Sequence, residues 1–159
     1  MTIRVISVGK LKEAYFTDAC AEFQKRLSRF CTLETVEVAD EKAPESLHPK
    51  DEDLVREKEG KRVLKAIGQK DFVVALAIDG KQMTSEQFAA FLEEKEAQGT
   101  RALTFVIGGS LGLSDEVYAR ANAKLSFSKM TFPHRIARLL LFEQLYRGFK
   151  INRNETYHK

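Results

Sequence analysis

The segment DFVVALAI, residues Asp71 to Ile78, is apolar at every position after its first. A half-buried strand alternates. An unbroken apolar run of this length marks a strand covered on both faces, as in the middle of a parallel sheet. Leu103 to Ile107 (LTFVI) repeats the pattern. Between them Thr84-Ser85-Glu86-Gln87 opens a helix, capped by Thr84 in a box with Gln87 or by Ser85 instead. Phe88, Phe91 and Leu92 form its inward side and Gly99 ends it. Strand, helix and strand in this order predict a parallel crossover unit. Asp79-Gly80 reads as the turn leaving the first strand.

Working outward, Thr2 to Val8 (TIRVISV) is a β-branched strand ended by Gly9, and Thr32 to Val38 (TLETVEV) is a second one. Between them Leu11 to Phe30 reads as an amphipathic helix with Leu11, Tyr15, Ala19, Phe23, Leu27 and Phe30 inward. A charged loop, Asp40 to Lys50, carries Pro44 and Pro49. A charged helix follows over Asp51 to Ile67, with Leu54, Val55, Val63, Leu64 and Ile67 inward and Gly68 as C-cap. Beyond Ile107, Ser114 caps a short helix with Asp115 and Glu116 in its first turn. Lys124 to Ser128 is a short strand. Pro133 fits the first turn of a last helix that runs to about Asn152. The fold class expected is α/β, a mainly parallel sheet flanked by helices, in one domain over residues 1–159.

At 43% hydrophobic and 31% charged residues the composition is that of an ordinary globular chain. A chain this long buries roughly two-thirds of its unfolded surface and needs no disulfide or metal to hold a core. Cys20 and Cys31 belong to no CxxC or Cys/His cluster, so no metal is expected and a reducing cytoplasm suits them. The apolar run after Met1 is too short for a signal peptide, and Phe72 to Ile78 is far below the ~20 residues of a membrane span. A soluble cytoplasmic protein without membrane contact is expected. The net charge of +3 is uneven: residues 120–159 carry nine Lys or Arg against two acids. That fits a polyanionic partner, nucleic acid first, or else a solvated helix face.

The last helix is too apolar for a surface helix. Ile136, Leu139, Leu140, Phe142, Tyr146 and Phe149 cover one broad face, and Ala137, Leu141 and Leu145 the opposite one. A homodimer, with the helix between its own sheet and its twin, accounts for both faces, and a wholly internal helix is the alternative.

Ligands of open parallel sheets bind beyond the carboxyl ends of the strands. Three such ends stand out: Leu76 to Gly80, Ile107 to Ser110 and Leu125 to Phe132. GGSLG is neither GxGxxG nor a P-loop, and a plain turn explains Gly108-Gly109 equally well. No GxSxG elbow is present, and His48, His134 and His158 are too scattered for a metal site. His134 beside Pro133 reads as a helix-start residue, and His158 lies in a polar tail.

VGKLKE near the start, VADEKAPE at Val38–Glu45, EGKRVL at Glu59–Leu64, FVIGGSLGL at Phe105–Leu113, LSFSKMTFPH at Leu125–His134, EQLYRGFKI at Glu143–Ile151 and the terminal YHK together resemble the RlmH family. These are ribosomal large-subunit pseudouridine methyltransferases of the SPOUT superfamily. Leu111 stands where other members carry asparagine. The resemblance spans the chain and implies a SPOUT-type sheet with a C-terminal deep trefoil knot. It implies S-adenosylmethionine as methyl donor, contacted by Leu76, Gly108, Phe127, Ser128, Lys129, Met130, Thr131 and Phe132, and no metal. It also implies a homodimer through the last helix, and N3 of a pseudouridine in helix 69 of 23S rRNA, within the assembled ribosome, as acceptor. His158 and Tyr157 are the candidate groups for the acceptor's proton, with Arg135 or Arg147 as cationic help. A non-catalytic ribosome-binding or assembly factor using the same basic surface is the alternative.

Overall fold

The computed structural model describes residues 1–42 and 48–159. Pro44 of the charged loop, and the Ala43–Glu45 part of VADEKAPE, lie outside the described residues. The elements run β1 (Thr2–Val8), α1 (Ala14–Leu27), β2 (Thr32–Val38), α2 (Pro49–Ala66), β3 (Phe72–Gln82), α3 (Ser85–Ala97), β4 (Ala102–Ile107), α4 (Asp115–Arg120), β5 (Ala123–Ser126) and α5 (His134–Asn152). The five strands form one sheet, β2-β1-β4-β3-β5, and every neighbouring pair is parallel. The two unbroken apolar runs lie where expected: β3 and β4 are interior strands, and all of β4 is buried.

Alternating residues of each strand feed two cores. Ile3, Val5, Leu103 and Phe105 pack with Leu27 of α1, Leu92 of α3 and Leu141 of α5. Ile6, Val8, Val73 and Val106 pack with Val63 of α2 and Val117 of α4 on the other face. Crossovers toward the β2 edge therefore run over one face and those toward the β5 edge over the other, as a single crossover handedness requires. α5 lies between α1 and α3: Phe149 stacks on Phe30 at 5.5 Å, and Gly148 sits against Leu92 and Ala89.

Several expectations are corrected. Asp79-Gly80 is no turn but part of β3, which continues to Gln82. Leu125 pairs with both Leu76 and Lys81, so residues 77–80 arch across the end of β5. The last strand ends at Ser126, not Ser128. Tyr15 and Leu54 point outward, 69% and 54% exposed; Cys20, Phe23 and Leu27 form the inward side of α1. Pro133 is the N-cap of α5 rather than a first-turn residue. The two faces of α5 also divide differently, because Phe142 and Phe149 are buried together with Leu141 and Leu145, leaving Ile136, Leu139 and Leu140 half-buried. Between the two candidate caps of α3, Thr84 is the one used, in a complete capping box.

Gly68 is not a left-handed cap. A Cβ there would meet Asp71 Oδ1 at 2.5 Å, and its N–H donates to Asp71 Oδ2 at 2.9 Å. Asp71 also accepts from Thr104 Oγ1 at 2.8 Å and pairs with Arg4. Burial alone would raise its carboxyl, but the Thr104, Gly68 and Arg4 donors hold it below its usual 3.8. The ionised form is therefore the one the fold favours. Its contribution is complete above the unfolded value and is lost as pH falls below about 3.8 through the folded one. Asp71→Asn is expected to cost about 3 kcal/mol at pH 7. It should also flatten the loss of stability below pH 3.8, as urea titrations at several pH values would show.

Candidate active site

β3 and β4 are neighbours, yet the helices that follow them, α3 and α4, lie on opposite faces. Their outgoing chains part, and a crevice opens beyond the strand ends. It holds a cavity of about 930 Å³ walled by Tyr118 and four segments: Leu76–Asp79, Ile107–Leu113, Leu125–Phe132 with Lys129 left out, and Pro133 to Ala137 with Ile136 left out. The three strand ends singled out in the sequence thus meet in one place. Of the residues named there for a methyl donor, Leu76, Gly108, Phe127, Ser128, Met130, Thr131 and Phe132 line the cavity; Lys129, exposed, does not.

The walls are firm where they turn. Ser126 Oγ donates to the Ser128 carbonyl at 2.9 Å, and Met130 N–H donates to Ser128 Oγ at 3.0 Å, which folds the third segment on itself. Gly112 N–H donates to the Gly109 carbonyl at 3.0 Å and closes the second. The floor is apolar, from Leu76, Ile107, Leu125 and Ala137. Ile78, Met130 and Phe132 stand exposed at its mouth. Among the described residues no group of three or more metal-ligating side chains converges, and no helix is long and apolar enough to cross a membrane.

His134, read from the sequence as a helix-start residue, is a wall residue. Gly9 reaches it with φ +98°, a backbone conformation suited to glycine, and a Cβ there would lie 3.1 Å from the ring. Burial, then Arg135 and Arg138, lower the imidazole's pKa, so it is neutral at neutral pH. Arg135 also lines the cavity and donates to Glu13 at 2.9 Å. Arg138, 4% exposed, reaches Glu37 at 2.9 Å and the Gly9 carbonyl. The partners of these side chains, Gly9 just after β1, Glu13 just before α1 and Glu37 on β2, could not be read from the sequence.

The tail candidates lie elsewhere. His158 Nε2 is 2.6 Å from Glu86 Oε1, and Nδ1 is 3.2 Å from Arg147 Nη1. Tyr157 donates to Glu143 and packs edge-on to Tyr146 at 4.8 Å. Burial raises the Tyr157 hydroxyl's pKa, and Glu143 adds to this. Neither residue, nor Arg147, lines the cavity of its own chain. The tail reaches back along α5 only to Glu143, about two and a half turns short of His134.

A family model described as "Predicted SPOUT methyltransferase" matches residues 1–158. The chain is 55% identical over 159 residues to the "Ribosomal RNA large subunit methyltransferase H" of Ligilactobacillus salivarius, covering all of both chains. Proteins of the same name from Clostridium acetobutylicum and Clostridioides difficile are 52% and 51% identical over the same full lengths. Among solved structures, a methylase family protein from Neisseria gonorrhoeae aligns with a TM-score of 0.57, 99% of this chain covering 86% of that one. At 13% identity this likeness concerns the fold alone.

Proposed function

The chain belongs to the SPOUT methyltransferase family, and on that premise we propose that it is an rRNA methyltransferase of the large ribosomal subunit. It acts as one domain over residues 1–159, in the cytoplasm. Its donor is S-adenosylmethionine and its acceptor is N3 of a pseudouridine in the helix 69 loop of 23S rRNA. The observation that carries this reading is the meeting of three strand ends in one apolar-floored, backbone-rich cavity.

The cavity residues fit the donor. Leu76, Ile107 and Leu125 offer an apolar surface for an adenine ring, and the turns at Gly108–Gly112 and Ser126–Met130 offer backbone groups for its polar edge. The donor bears no phosphate, and no phosphate-binding glycine motif is present. Bound there, it supplies an electrophilic methyl group for in-line displacement, and holding the partners in register provides much of the rate. Phe127, Ser128, Met130, Thr131 and Phe132 form the wall that does the holding.

The C-terminal segment passes through the arch of residues 77–80 as a deep trefoil knot. The double pairing of Leu125 with Leu76 and Lys81 supports this threading. Two copies pair through α5, whose half-buried Ile136 and Leu140 leave an outer apolar strip. The two helices pair antiparallel across this strip, about a two-fold axis perpendicular to them. The tail of one copy then comes beside the Pro133–Ala137 wall of the other. There His158 takes the N3 proton, Tyr157 orients the base, and Arg135 stabilises the developing anion. The exposed basic residues of the C-terminal quarter, Lys124, Lys129, Arg153 and Lys159, meet rRNA phosphates, which makes binding salt-sensitive.

Incubation with methyl-labelled S-adenosylmethionine and unmethylated ribosomes is expected to give saturable incorporation, mapping to a single helix 69 pseudouridine. Donor binding without incorporation into any ribosomal particle would leave the non-catalytic binder instead.

A further inference from the structure

We propose that Glu59 is a positioning residue for the methyl donor, bracing the Gly108–Gly112 turn from behind through its second carboxylate oxygen. Three residues on one face of α2 grip that turn and its exit. Arg56 Nη1 donates to the Leu111 carbonyl at 3.4 Å. Gly60 presses on the capping serine of α4, where a Cβ would lie 2.3 Å from Ser114 Oγ. Glu59 stands between them. It is 5% exposed, in a helix whose neighbouring acids are solvated.

One oxygen, Oε2, accepts the Glu41 N–H at 3.0 Å, just after β2. The other, Oε1, is buried and finds no hydrogen-bond partner among the described residues. Both oxygens lie against the Gly109 backbone: a Cβ there would sit 3.4 Å from Oε1 and 3.5 Å from Oε2. A buried, half-satisfied carboxyl is costly, and native folds seldom retain one without use. Burial pushes this carboxyl up, with the Glu41 N–H and Arg62 pulling the other way and Asp40 and Glu41 adding to the push. Gly109 shows one side to Glu59 and the other to the cavity. When the turn closes on the donor, Oε1 accepts an N–H of the Gly109-Ser110 backbone and gains the partner it otherwise lacks.

The inference rests on the methyl-donor reading of the cavity. Calorimetric titration of S-adenosylmethionine into the full chain, beside thermal melts, tests both. Gln offers one acceptor where Glu offers two, so Glu59→Gln should bind the donor about fivefold more weakly, and the apolar Glu59→Leu about twentyfold. Glu59→Gln should not melt below the wild type, because its amide oxygen still accepts the Glu41 N–H while the buried carboxyl is gone. Glu59→Leu leaves that N–H unpaired and should melt lower, so only the Gln variant's melt bears on the proposal. At saturating donor, single-turnover methylation should return to near the wild-type rate, placing the effect on donor KM. Donor affinity within about twofold of wild type for Glu59→Gln would overturn the proposal, as would affinity and melting temperature falling together. Glu59→Gln decides alone should Glu59→Leu not fold. If the wild type itself binds no S-adenosylmethionine, the reading of the cavity fails, and this inference with it.

Discussion

His158→Ala is expected to slow single-turnover methylation of ribosomes by about 10²- to 10⁴-fold, the range of a lost general base. Donor affinity should stay near that of the wild type, since His158 lies outside the cavity of its own chain. Stability should barely move: the side chain's contacts are with a largely exposed Glu86 and with Arg147. The decisive form of the experiment uses mixed dimers. A His158→Ala subunit keeps an intact cavity. A Gly108→Val subunit keeps an intact tail but has its cavity wall displaced, because a Cβ at Gly108 already lies 2.9 Å from the Gly112 carbonyl carbon. If each tail serves the partner's cavity, the mixed dimer is active although both parent homodimers are dead. An inactive mixed dimer would mean that each tail serves its own subunit and would remove the antiparallel arrangement.

The second large effect concerns stability. A Cβ on Gly80 would lie 2.7 Å from the carbonyl carbon of Leu125 and 2.9 Å from both its nitrogen and the Lys124 carbonyl carbon. All three are backbone atoms, so no side chain can rotate away. Overpacking a core costs typically about 1–3 kcal/mol, and a clash with backbone belongs at or above the top of that range. Gly80→Ala should therefore lower the urea midpoint by about 1–3 M, given slopes of roughly 1–3 kcal/mol/M. Donor binding should fall with it, since Leu76–Asp79 and Leu125–Phe132 wall the same cavity. A midpoint equal to that of the wild type would mean that β5 is free to shift.

That glycine shows where local reading stops. Asp79-Gly80 has the chemistry of a turn, and nothing near it in the chain says otherwise. The glycine is demanded by the backbone of a strand made much later, a contact with no local signature. β3 and β4 were legible because burial on both faces leaves an unbroken apolar run. The caps at Thr84 and Ser114 were legible because they are local. The phase of α1 and α2 was blurred at Tyr15 and Leu54, apolar residues at the border of the inward stripe. At the site, the three strand ends could be read from glycines and small residues, but their convergence is a property of the sheet order. Glu59 could not be distinguished from the other charges of α2, since its burial depends on the β4 exit turn. His134 does start α5; that its ring also walls the cavity was hidden because Gly9, which receives it, is remote in sequence.

The seat of α5 between α1 and α3 carries a consequence for synthesis. Strands β1 to β4 and helices α1 to α3 are made first, and the slot between Phe30 on one side and Leu92 on the other has no occupant until Phe149 has been added. At about 5–20 residues per second, the nascent chain spends several seconds with that apolar slot open. Its maturation is therefore timed by translation of the last helix, and the slot is where a chaperone would act.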